Sequence, residues 1–95
     1  MAEWYLYLVR CRDDSLYTGI ATDIARRFAE HCSNGKKRSK YLRSRMPITL
    51  VFQAKIGSRN LALKVEKRIK KLPKDKKQRL VASKTMIREL IKKIQ

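Results

Sequence analysis

Five side chains suited to phosphate-ester chemistry are spread along the 95-residue chain: Tyr7, Tyr17, Arg27, His31 and Glu66. A guanidinium at the edge of a polar pocket can fork onto phosphate oxygens and stabilise charge that builds up during cleavage. An imidazole one helical turn away, as His31 is from Arg27, suits proton relay or phosphate contact. A lone carboxylate such as Glu66 is a hard oxygen ligand, and one carboxylate with waters and substrate phosphate is a usual arrangement for Mg²⁺. A phenol has an ordinary pKa of about 10, so either tyrosine needs nearby positive charge to act as a base near neutrality. Each residue also has a plainer reading. The tyrosines could pack in a core with satisfied hydroxyls, Arg27 could pair with Glu30 or Asp23, His31 could be a core histidine, and Glu66 could form a helix pair with Lys70.

Their positions depend on the elements that carry them. Residues 4–11 (WYLYLVRC) are aromatic and β-branched and predict a strand. Tyr5, Tyr7 and Val9 share one face while Trp4, Leu6 and Leu8 share the other, so both faces are apolar and the strand should be covered on both sides. Arg12-Asp13-Asp14-Ser15 is a turn signal, and residues 16–20 (LYTGI) form the second strand of a hairpin. A two-residue loop would turn Tyr7 and Tyr17 to opposite faces; an odd-length loop or a bulge puts them on one.

Thr22 or Asp23 caps a helix that runs to about residue 33, with Ile24, Phe28 and His31 on its inner stripe and Asn34-Gly35 at its end. Arg27 borders that stripe. Residues 36–45 (KKRSKYLRSR) predict a short helix or an ordered loop. After Pro47, residues 48–56 form a third strand in which Ile48, Leu50, Phe52 and Ala54 alternate with Thr49, Val51 and Gln53. Residues 58–72 form a helix with Leu61, Val65, Ile69 and Leu72 inward, so that Glu66 borders its apolar stripe; Pro73 stops it. Residues 74–81 suggest a short basic turn of helix. A final helix from Ser83 turns Met86, Ile87, Leu90, Ile91 and Ile94 inward. The order β-β-α-(α)-β-α-α describes an α/β (α+β) domain with a small three-stranded antiparallel sheet flanked by helices, one domain over residues 1–95.

Charge narrows the partners. Lys and Arg number 25 against 8 Asp and Glu, a formal net charge of +17. The excess is confined to one part: residues 1–31 sum to −1 and residues 32–95 to +18. That asymmetry points to a polyanion, nucleic acid first and an anionic membrane second. A membrane reading would rest on the last helix, which has no Trp or Phe anchor. No apolar run reaches the length of a transmembrane span and no secretion signal is visible. The two cysteines, Cys11 and Cys32, have no CxxC spacing; buried or half-buried free thiols in a reducing cytoplasm are the expectation.

Tyr5-Leu6-Tyr7, nine residues, then Tyr17-Thr18-Gly19 resembles the paired signature of the GIY-YIG nuclease superfamily, in particular its small stand-alone group. Arg27 follows Gly19 by eight positions, His31 follows by four more, and Glu66 lies on a later helix. The segments LYTGIATDIARRFAEH and LALKVEKRIKKL carry the resemblance furthest, and it covers roughly residues 4–81. It implies a metal-dependent endonuclease that hydrolyses phosphodiester bonds of nucleic acid, DNA in first place. Tyr7, Tyr17, Arg27, His31 and Glu66 would be catalytic, with Mg²⁺ or Mn²⁺ on Glu66. Either tyrosine would orient or deprotonate the attacking water, Arg27 would stabilise the transition state, and His31 would assist proton movement. Two departures stand out: Tyr5-Leu6 replaces Gly-Ile and Thr18 replaces Ile. Relatives also use a late asparagine, whereas the last one here, Asn60, precedes Glu66.

Lys36, Lys37, Arg38, Lys40, Arg43 and Arg45, together with Lys67, Lys70 and Lys71, are expected to flank the pocket and bind the nucleic-acid backbone. With Tyr41 the only aromatic among the basic runs, recognition should follow backbone and shape with little sequence preference. The alternative is a non-catalytic basic nucleic-acid-binding module on the same fold. The chain is expected to be a monomer or weak homodimer, with specificity low or supplied by a protein partner.

Overall fold

The computed structural model describes residues 2–33 and 35–95. Two strands, β1 (Trp4–Arg10) and β2 (Leu16–Ala21), form a hairpin followed by helices α1 (Ile24–Cys32) and α2 (Lys40–Arg43). Strand β3 (Thr49–Gly57) and helices α3 (Arg59–Lys70), α4 (Lys74–Ala82) and α5 (Lys84–Ile94) complete the chain. The sheet is antiparallel throughout in the order β2-β1-β3, so β1 is central.

The doubly apolar pattern of β1 follows from that place. Leu6 and Leu8 join Leu16, Phe52, Val65, Ile69, Leu80 and Ile87 in one core; Tyr7 and Val9 join Cys11, Ala21, Ile24, Leu42 and Ile48 in a second core on the opposite face. Helices α3, α4 and α5 cover the first face, and α1 and α2 contribute to the second. The inward face of α5 packs on the sheet: Ile87 is buried in the first core, and Met86, Leu90, Ile91 and Ile94 lie partly buried against it. No helix among the described residues is long and apolar enough to cross a membrane.

The hairpin loop holds five residues, 11–15, and pairs Val9 with Tyr17 and Tyr7 with Gly19. Odd length therefore puts Tyr7 and Tyr17 on the same face. Asp14 takes a left-handed turn (φ 67) that a short polar side chain tolerates. The Asp13 carboxylate accepts from the backbone N–H and hydroxyl of Ser15.

Three expectations are corrected. The alternation of β3 does not keep one face, because a bulge lets Leu8 pair with Phe52 while Val9 pairs with Leu50. Leu50 and Ile48 consequently belong to the second core while Phe52 and Ala54 belong to the first. The segment after Pro73 is a nine-residue helix, α4, with Leu80 buried in the first core, so three helices follow β3. Cys11 is a buried free thiol as expected, but Cys32 at the end of α1 is exposed. Helix α1 stops at Cys32 with Ser33 as its C-cap; the expected role of Asn34 lies outside the described residues.

Candidate active site

Helix α1 starts where the Asp23 carboxylate accepts from the backbone N–H of Arg26 at 3.1 Å, a side-chain cap on otherwise unpaired amides. With that start, Ile24 and Phe28 pack into the second core and the same inner stripe carries His31 under the sheet face. His31 is fully buried, and its Nε2 lies 2.9 Å from the Tyr7 hydroxyl oxygen. The Tyr17 ring meets the His31 ring edge-on at 5.7 Å between centroids. The two phenols and the imidazole, distant along the chain, thus form one cluster.

Tyr7 reaches it by crossing Gly19. A Cβ on Gly19 would lie 2.9 Å from Cε2 of Tyr7 and would collide with its Cζ and Oη. A glycine inside a strand commonly marks such an approach, and an aromatic ring laid across it shields the exposed backbone. The signature glycine is therefore a packing requirement of Tyr7.

The electrostatics tie in the remaining residues. Tyr7 is 2% exposed, and burial is the main reason its hydroxyl is pushed up to about 12. The neighbouring Tyr17 and the Glu66 carboxylate push the same way, while the Arg27 guanidinium opposes them. Burial, helped by Arg27 and Arg38, pulls His31 down to about 4, against the opposing pull of Glu30. His31 is therefore neutral near pH 7. Its Nδ1 accepts a long hydrogen bond, 3.5 Å, from the Ser39 backbone N–H. The proton of the neutral ring then sits on Nε2 and is donated to the Tyr7 oxygen.

Arg27 borders the cluster but has partners of its own. It donates to Glu30 at 3.1 Å and to the Lys37 carbonyl at 2.8 Å. Hydrogen bonding from Arg27, with charge from Lys37 and Arg26, holds the Glu30 carboxyl below its usual range. Glu66, on α3, pairs with Lys70 at 3.5 Å and keeps 18% of its side chain exposed. Among the described residues no group of three or more His, Cys, Asp or Glu gathers in one place. A soft ion that demands three or four protein ligands does not fit that donor set; a hard ion that keeps waters and borrows phosphate oxygens does.

The basic tract expected to bind backbone divides by role. Arg38 is a brace: its guanidinium donates to the carbonyls of His31 (2.6 Å) and Cys32 (2.8 Å), capping the last turn of α1. Arg45 bonds Asp13 at 3.0 Å and the Tyr41 carbonyl at 2.8 Å, and its guanidinium lies 3.9 Å over the Tyr41 ring. Tyr41 in turn lies 5.7 Å from Tyr17. Lys36 and Arg43 line an open hollow with Gly35 and Arg38, and Lys40 is exposed on α2. The α3 lysines do not form one tract. Lys70 stands beside Glu66, whereas Lys67 and Lys71 turn into a separate cleft facing α5. Gly19, Ser39, Arg38 and the Tyr41–Arg45 pair were not assigned these roles from sequence; only Gly19 left a signal, as a glycine inside a strand pattern.

Phenols, a guanidinium and an imidazole gather around one sheet face of this α+β domain, and the family match makes its fold nuclease-type. The GIY-YIG catalytic domain family model matches residues 3–79, and the chain belongs to that family. It is similar to the UPF0213 protein of Cronobacter sakazakii, 56% identical over 82 residues, covering 86% of this chain and 84% of that one. It is also similar to the UPF0213 protein YhbQ of Salmonella typhimurium, 46% identical over 95 residues, covering 100% and 93%. Among solved structures, the solution NMR structure of EF2693 from E. faecalis matches with a TM-score of 0.61 at 29% identity over 90% of each chain. That of the UPF0213 protein BH0048 from Bacillus halodurans matches with a TM-score of 0.54 at 39% identity, covering 84% and 83%.

Proposed function

We propose that the chain is a metal-dependent endonuclease that hydrolyses phosphodiester bonds of nucleic acid, DNA in first place, with low sequence specificity. One observation carries the reading: the Tyr7 oxygen bonds His31 and is within electrostatic reach of Arg27, Tyr17 and Glu66. Family membership supports the reaction class.

Glu66 would hold Mg²⁺ or Mn²⁺, with Lys70 swinging away from the carboxylate. When bound, such an ion would supply Lewis-acid stabilisation of charge on the phosphate and leaving group. The other steps belong to the chain. Tyr17, half-buried and nearer solvent, orients the attacking water. Tyr7 starts neutral because burial raises its pKa; where positive charge gathers its proton would pass to solvent, and the phenolate so formed would take the proton of the attacking water. The Nε2–H of His31 stabilises the resulting phenolate by donating to it, and the Ser39 amide fixes that tautomer. Arg27, exchanging the Lys37 carbonyl for a phosphate oxygen, stabilises the pentacoordinate transition state. Lys36, Lys40 and Arg43, beside the site, would contact flanking phosphates.

The rival is a binding module without chemistry, and the pairing of Glu66 with Lys70 favours it. Supercoiled-plasmid nicking with Mg²⁺ or Mn²⁺ separates the two. Wild type should nick and Glu66→Ala should not, with duplex binding unchanged in both. Binding without nicking in either protein would support the rival.

A further inference from the structure

We propose that the cleft between α3 and α5 is a second binding site for a nucleic-acid backbone, separate from the Tyr7–His31 cluster. The cleft, of about 330 Å³, is lined by Lys64, Lys67, Arg68, Lys71, Lys93 and Ile94. Five cations and no acid face it, and among the described residues none of the five pairs with a carboxylate. All five are exposed. Like charges crowded this closely repel one another and work against the fold unless an anion relieves them.

Helix geometry separates this cleft from the candidate active site. Successive residues turn by about 100°, so Lys64, Arg68 and Lys71, spaced i, i+4, i+7, share one stripe of α3. Glu66 lies about 200° round from Lys64, on the opposite flank. Lys93 closes the stripe from α5. A helix C-terminus favours nearby cations, which would account for Lys67, Arg68 and Lys71. It accounts equally for Lys93, in the last turn of α5, but not for Lys64, in the middle of α3.

The ligand chemistry follows from what the cleft contains. It has cations and one aliphatic side chain, with no aromatic, amide or hydroxyl group that would read or stack a base. From Lys64 to Lys71 the stripe runs about 10 Å at the rise of an α-helix. At an axial rise of about 3.4 Å per phosphate, one strand would present about three phosphates over that length. A row of that extent suits a polymer rather than a single free phosphate. The choice of nucleic acid as the polyanion rests on the proposed function, but the site needs no catalysis.

The test is therefore binding without divalent metal. Fluorescence anisotropy of a duplex of about 30 base pairs in EDTA, titrated with salt, compares wild type with Lys64→Gln/Arg68→Gln/Lys93→Gln. A charge-matched control, Lys55→Gln/Lys76→Gln/Arg88→Gln, removes three exposed cations elsewhere. The cleft variant should lose about 2 to 3 units of the slope of log K against log salt, near 0.9 per phosphate, and so bind about 10²- to 10³-fold more weakly at about 0.1 M salt. The control should lose less than about 1 unit. Equal losses in both variants, or no loss in the cleft variant, overturn the proposal. On wild type, the duplex should protect Lys64, Lys67, Lys71 and Lys93 from acetylation, and unchanged labelling there also overturns it. Saturation of the cleft by inorganic phosphate alone at about 1 mM, followed by amide shifts, would make it a small-anion site and overturn the polymer assignment. None of these readouts depends on nicking, so a failed endonuclease assay and a failed second site are distinguishable.

Discussion

The ring of Tyr7 lies directly on the backbone of Gly19, its partner across the hairpin, and leaves no room there for a β-carbon. That contact aims the Tyr7 hydroxyl at His31. Gly19→Ala should therefore tilt Tyr7 out of the cluster. The expected cost in stability is about 1–3 kcal/mol for overpacking, with a loss of nicking of about 10²-fold from misplacement of the phenol. Urea denaturation and single-turnover nicking check both numbers; a variant with full activity would show that Tyr7 does not need this seat.

Thr18 is 2% exposed and its Oγ1 has no hydrogen-bond partner among the described residues. It pairs with Leu8 and faces the first core, away from the cluster. The hydroxyl bears a desolvation cost with no bond in return. Thr18→Val, close in shape, should stabilise the chain by about 1 kcal/mol, read as a higher urea midpoint at unchanged m-value. A lower midpoint would mean that the hydroxyl is satisfied.

His31 makes folding pH-dependent. Its folded value near 4 lies below the ordinary 6.5. Between those values the unfolded chain binds a proton that the folded chain excludes. Stability should fall as pH drops from 6.5 towards 4 by up to about 1.4 kcal/mol per unit, and this contribution should level off below 4. His31→Phe, although less stable at neutral pH because Tyr7 loses its partner, should lack that slope. Denaturation of both proteins between pH 7.5 and 4.5 tests it; parallel curves would mean that His31 protonates freely in the fold.

Much of this was readable beforehand because the deciding patterns are local. The two apolar faces of residues 4–9 announce a central strand, and the four-residue spacing of Arg27 and His31 puts both along one side of a helix. The bulge in β3 was not readable, since its apolar run offers side chains to both faces and no glycine marks the irregularity. Helix α4 was legible only as a short basic turn over residues 74–81, because its sequence is mostly charged and its apolar contact with the first core is confined to its C-terminal turn. Ser39 and Arg38 act through backbone groups, Ser39 by its own N–H and Arg38 on two carbonyls, and such contacts leave no residue-type pattern. The split of the α3 lysines depends on where α5 returns, which no short-range spacing determines.

The central claim is that Arg27 on α1 and Glu66 on α3 serve one phosphate. A double-mutant cycle on single-turnover nicking in Mg²⁺ tests it most directly, using Arg27→Ala, Glu66→Ala and the double variant. Each single change should cost about 10²-fold or more, and the double variant should be only a few-fold slower than the slower single, as for residues that act as a unit. Losses that multiply fully, or singles that nick like wild type, would contradict it.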